Sequence, residues 1–219
     1  MTIQTLIDKR DTNEIVLEAI GAILLAETTS QQALALAAAK DPRLWALRIF
    51  TGASNPWEEF RGAPDQLDAT PIVNVTFDAE SFDRNKGNVF ERQMARATFN
   101  VDCYGYGVSE DDGADGHTPG DQRAHLEVLR VARLVRNMLM AATYVSLQQN
   151  GLVGARWIES ITAFRPPPEA RNVNKVDGAR IVLSVDFVEF APQVQGPPLA
   201  LISVGVRRRE TGELYFEAS

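Results

Sequence analysis

Within residues 93–106 the chain alternates between two kinds of side chain. Ala95, Ala97, Phe99, Val101 and Cys103 fall on one side of an extended backbone, and Arg96, Thr98, Asn100, Asp102 and Tyr104 fall on the other. A period of two is the mark of a strand with one buried face. A second alternating run precedes it over residues 72–77, with Val73, Val75 and Phe77 facing one way and Asn74 and Thr76 the other. Between them the polar stretch 81–88 holds Asn85-Lys86-Gly87, which is turn chemistry. The two runs read as a long β-hairpin.

Elsewhere the period is that of helices. Asp11 or Thr12 is placed to cap a first helix, with Glu14 in its first turn and Ile15, Ala19, Ile20, Ile23 and Leu24 at helical spacing. Thr28, Thr29 or Ser30 offers a further cap, and residues 31–40 predict a second helix or a continuation, ended by Asp41-Pro42. Residues 44–50 read as a strand and 52–64 as loop. Asp121 opens the strongest helical pattern, running to about Gln149, roughly 43 Å at 1.5 Å per residue. Its apolar stripe takes in Leu126, Leu129, Ala132, Leu134, Val135, Met138, Leu139, Ala142 and Val145, with Arg123, Arg130, Arg133 and Arg136 largely off it. Strands follow at 153–164 and 180–190, joined by a proline-rich, polar connector over 165–178.

Residues 192–198 contain three prolines and one glycine and read as a linker. Beyond it, residues 199–208 and 214–216 flank a turn at Glu210-Thr211-Gly212-Glu213, a hairpin that must pack on something because an isolated one is marginal in water. The fold class expected is α+β: a mostly antiparallel sheet with a long helix and N-terminal helices packed on it over residues 1–191, plus a C-terminal extension over 192–219. No internal repeat is visible.

The chain has 219 residues, 45% of them hydrophobic, which suits one domain with a real core. A net charge of −7 argues against gripping nucleic acid, which needs clustered Lys and Arg. Acidic surface would instead suit a conduit through which DNA slides. One cysteine, Cys103, permits neither an internal disulfide nor a Cys-based zinc site, and points to a reducing cytoplasm. The N-terminus lacks signal-peptide order, the longest apolar run (19–26) is too short to cross a bilayer, and the Asn74-Val75-Thr76 sequon is read as noise.

Few residues suggest chemistry. Asp111, Asp112, Asp115 and Gly116 resemble the start of a calcium loop, but Gly113 and Gln122 stand at its third and twelfth positions, where ligands are required. Cys103 with His117 or His125 would make a nucleophile and base, yet Cys103 lies on the apolar side of its strand, so a buried structural thiol is expected. Phosphate-loop and nucleophile-elbow motifs are missing, and Gly105-Tyr106-Gly107 reads as a strand end. Arg207-Arg208-Arg209 is the only basic cluster, read as a solvated edge or a contact with an acidic partner. Trp45, Trp57 and Trp157 read as core or interface anchors, and Pro56-Trp57-Glu58-Glu59-Phe60 as an exposed contact patch. An enzyme, a cofactor and a metal are not expected.

Four features in this order resemble the tail terminator, or tail completion, proteins of long-tailed bacteriophages. They are the amphipathic N-terminal helix, the hairpin ending in Val101-Asp102-Cys103-Tyr104-Gly105-Tyr106-Gly107, the helix with Val135-Arg136-Asn137-Met138-Leu139, and a strand pair with Trp157-Ile158-Glu159-Ser160-Ile161 and residues 179–189. The likeness covers about residues 12–192 and is one of layout, with no diagnostic motif. It implies a homo-hexameric ring that caps the tail tube and stops its growth. Such a ring meets the sheath in contractile tails, joins the neck or head–tail adaptor, and lets DNA through its hole. The implied place is the virion tail or neck, assembled in the host bacterial cytoplasm, with no membrane partner. Chain length and the extra tail favour a contractile-tailed phage.

Two rivals accompany this reading: a head–tail adaptor or neck protein on the capsid side, and a monomeric protein-binding module. Exposure and position nominate Trp57, Phe60, Arg84, Lys86, Arg165, Arg171, Lys175, Arg207, Arg208 and Arg209 as subunit or partner contacts.

Overall fold

The computed structural model describes residues 10–62, 70–82, 92–111, 117–166, 176–190, 204–207 and 214–218. The chain clusters into two compact units, one of them Arg10–Ala191 and the other including Pro192–Ser219. The larger unit is α+β. It contains α1 (Thr12–Ala37), β1 (Arg48–Thr51), β2 (Ile72–Phe82), β3 (Arg92–Tyr106), the two-residue strands β4 (Glu110–Asp111) and β5 (His117–Thr118), α2 (Gly120–Met140), β6 (Val153–Phe164) and β7 (Val176–Phe190). The second unit holds β8 (Val204–Arg207) antiparallel to β9 (Leu214–Ala218), where the C-terminal hairpin was expected.

One five-stranded sheet in the order β1-β2-β3-β7-β6 organises the large unit. Only the β1–β2 pairing is parallel. The hairpin is present, with Val75 opposite Val101 and Phe82 opposite Ala95, and β2 runs through Ser81, which the sequence assigned to the turn. β7 likewise begins at Val176, inside the expected connector.

Both helices lie on one face of this sheet, because only one face is continuously apolar. Val73, Val75, Ala97, Phe99, Val101, Ile181, Leu183, Val185 and Phe187 are fully buried there. They pack against Val16, Ile20 and Leu24 of α1 and Val128, Val131, Val135 and Leu139 of α2. Cys103 is buried among them, and burial, then the charge of Asp102, pushes its thiol up and keeps it protonated.

Local chemistry sets the helix bounds differently from the sequence reading. α1 is a single helix, because Thr29 and Ser30 donate their hydroxyls back to the Leu25 and Ala26 carbonyls, at 2.9 Å each, rather than capping a new start. After it, the Asp41 carboxylate accepts the Arg43 N–H at 3.0 Å and closes a 3₁₀ turn over Pro42–Trp45. The strand expected from Leu44 therefore begins only at Arg48.

α2 is shorter than its apolar pattern implied. It has 21 residues, about 31 Å, and stops at Met140. Ala141 turns extended, with φ −60° and ψ 139°, and its carbonyl accepts Arg156 Nη2 from β6 at 2.7 Å. The break folds Tyr144 and Leu147 back into the core, while Val145 is left exposed. Leu126 and Leu129, assigned to the buried stripe, face solvent. The buried stripe is Ala124, Val128, Val131, Ala132, Val135, Met138 and Leu139.

Where β3 hands over to α2, backbones nearly touch. A Cβ on Gly107 would sit 2.1 Å from the Gly120 carbonyl oxygen and 2.3 Å from the Ala124 nitrogen, and one on Gly105 would sit 2.8 Å from the Ala124 carbonyl oxygen. Backbone cannot swing aside as a side chain can. Gly107→Ala is therefore expected to cost about 2–3 kcal/mol, as overpacking does. Gly154→Ala in β6, whose Cβ would meet nothing nearer than 3.7 Å, is expected to be near neutral. Urea unfolding of both variants beside the parent checks this.

Candidate assembly surfaces

The face of the sheet turned away from the helices is built from the polar alternates of the strands. At one end it is roofed. The 3₁₀ segment Pro56–Gly62 lays Trp57 against Tyr104, with ring centroids 5.7 Å apart, and Phe60 against Tyr106 at 5.6 Å. Phe164 meets Tyr104 edge-on at 5.6 Å. Ile72, Phe60 and Tyr104 form the centre of this smaller cluster. The preceding loop is held by Asn74, whose amide donates to the Ala53 carbonyl at 2.8 Å and accepts the Ala53 N–H at 3.1 Å. Asn74 is buried and spent on these bonds.

Beyond that roof the face carries charge pairs bridging neighbouring strands. Arg180 of β7 grips the buried Asp102 of β3 with two bonds of 2.7 and 2.8 Å. Arg96 of β3 does the same to Asp186 of β7 at 2.8 and 3.2 Å, and its guanidinium lies 4.4 Å from the centroid of Trp157 on β6. Glu159 accepts from the Ser184 hydroxyl at 2.8 Å and from the Trp157 indole N–H. This is a surface of paired polar groups that also offers aromatic and cationic contacts.

The helical face is organised differently. α1 contains three glutamates and no basic residue, whereas α2 contains four arginines against two carboxylates. Arg10 reaches Glu14 and Glu18 near the start of α1. His125 Nδ1 lies 2.6 Å from the Asp177 carboxylate, tying α2 to β7.

The nominated contact residues separate under this geometry. Phe60 is buried, 4% exposed, so it is not an exposed contact, because Tyr106 and Ile72 cover it. Trp57 is half-buried on Tyr104. Arg165 is exposed just past the end of β6. Arg84, Lys86, Arg171, Lys175, Arg208 and Arg209 lie outside the described residues, and Arg207 is described only as backbone of β8. The acidic loop tested for calcium lies outside the described side chains. Among the described residues there is no group of three or more His, Cys, Asp or Glu placed to hold a metal, and no helix is long and apolar enough to cross a membrane. The strand-bridging pairs Arg96–Asp186 and Asp102–Arg180 were not singled out from sequence. Their only trace there is the polar alternation of β3.

Near the start of α1, Glu80 of β2 accepts from Asn13 at 3.3 Å. Burial, then the nearby Glu189, pushes its carboxyl above the ordinary value of 4.5, against the pull of Asn13, with Asp11 adding to the rise. The folded protein holds this proton more tightly than the unfolded chain does. Stability from the group is full below pH 4.5 and lost as pH rises through the raised value. Glu80→Gln keeps the acceptor for Asn13 and removes the charge. It is expected to raise the melting temperature at neutral pH and to give no gain well below pH 4.5, which paired melts at the two pH values check.

No protein-family model matches the chain, and no curated protein matches it in sequence.

Proposed function

We propose that this chain is a structural, non-catalytic virion protein: a phage tail terminator that closes as a hexameric ring on the last ring of the tail tube. In that role it stops growth of the tube, and of the sheath in a contractile tail, and joins the tail to the neck. The carrying observation is the order of elements. An N-terminal helix, the β2–β3 hairpin, α2 and the β6–β7 pair follow one another on a single sheet, in the layout on which the resemblance rests. Two further features suit a ring-former. Among the described residues β6 is a 12-residue edge strand paired only with β7, which suits strand addition on its other side. The β8–β9 pair clusters apart from the large unit, and a two-stranded piece gains stability by packing on something else. A net charge of −7 suits a lumen that must not trap DNA.

The test is a tube-capping assay. Tail tube protein from the same phage is polymerised with and without this chain, and tube length is measured by electron microscopy. Capped tubes of limited length with a ring at one end support the reading. Unchanged tubes, together with binding to the neck or portal instead, replace it with the adaptor role. Removing residues 192–219 is expected to reduce ring formation, read by light scattering, while the melting temperature of the remaining unit changes little. Equal losses in melting and sizing contradict this.

A further inference from the structure

The two helices carry opposite charge on their outward sides. Asp11 at the N-cap of α1 and Glu14 and Glu18 within it follow one another at intervals of three and four and so share a stripe, which Leu25 continues. All four are directed away from the core that holds Val16, Ile20 and Leu24. Arg10 pairs with Glu14 and Glu18 but leaves the stripe negative. On α2, Leu126, Leu129, Arg133 and Arg136 form the corresponding stripe, opposite Val128, Val131 and Val135. Among the described residues Arg133 makes no ion pair and Arg136 makes only a long contact of 3.5 Å to Asn137.

Apolar residues sit in both stripes where a solvated helix has no use for them. Leu25 is 57% exposed, Leu126 57% and Leu129 48%. Along α1 the acids come first and the leucine second. Along α2 the leucines come first and the arginines second. Laid antiparallel, the two stripes match acid to base and leucine to leucine at once.

We infer that α2 of one copy docks on α1 of a second copy through these stripes. The leucines supply the buried area and the charges set direction and register, since rim charges govern encounter and partner choice more than raw affinity. The surfaces joined are unlike, so the contact is of the head-to-tail kind that generates rings when it closes. The inference deepens the ring reading and rests on it for self-association.

Two charge-reversed variants test it, both at exposed positions: Arg133→Glu with Arg136→Glu, and Glu14→Lys with Glu18→Lys. Each variant carries like charge on both stripes, so each is expected to lose self-association. Mixed in equal amounts they present opposite charge at every junction, and association is expected to return. Light scattering across a concentration series reads the mass, and thermal melts confirm that both variants fold. Loss in each alone with recovery in the mixture supports the docking. Wild-type mass retained by each variant alone overturns the docking and leaves the ring reading standing. Loss without recovery overturns the pairing of these two stripes. A wild-type particle of two copies, abolished and rescued by the same variants, supports the docking and overturns the hexameric ring. A wild-type chain monomeric at every concentration overturns the docking and leaves the ring reading to the tube-capping assay.

Discussion

Everything in the large unit leans on β3. It is the central strand, paired with β2 on one side and with β7 over its whole length on the other. Its two sides do different work. Ala95, Ala97, Phe99, Val101 and Cys103 sit under both helices, while Arg96, Asn100, Asp102 and Tyr104 anchor the opposite face. A one-residue slip would exchange these sides and put Asp102 under α2. The bidentate pairs to Asp186 and Arg180 oppose that slip, because both close only when Arg96 faces Asp186 and Asp102 faces Arg180. Register is thus held by hydrophobic burial on one face and by charge matching on the other.

How legible this was depends on whether the deciding atoms were near in the chain. β3 was read to within a residue, and β6 over its full length, since period-two alternation is local information. The end of α2 was not legible. The apolar residues run on past Met140, and the stop involves Arg156, which belongs to a strand not yet formed when the helix is read alone. Leu44 was taken into a strand because the turn around it is made by the Asp41 side chain rather than by any apolar period. Leu126 and Leu129 were taken as buried because a helix with apolar residues on two sides does not announce which side meets the sheet.

The candidate surfaces follow the same rule. Phe60 looked exposed because it lies in a polar stretch, yet Tyr106 and Ile72, far along the chain, come to cover it. The charge pairs of the open face join positions that only the register of β3 and β7 brings together. What composition did convey was an acidic balance. It did not convey that the acid and the base are sorted onto separate helices, which is the property that gives the chain two unlike surfaces.

The central ladder also has a consequence in time. It pairs residue 92 with residue 190, and residue 106 with residue 176. On the ribosome, β2 and β3 are made long before β7 exists, so the hairpin emerges with one edge of β3 bare and its apolar side fully covered only once α2 joins α1 there. Pairing across so long an intervening chain carries a loop-closure cost before any ladder bond repays it. Until the chain has been synthesised through Phe190, the nascent protein is an unfinished sheet, and its opportunity for mispairing with neighbouring nascent chains lies in that interval.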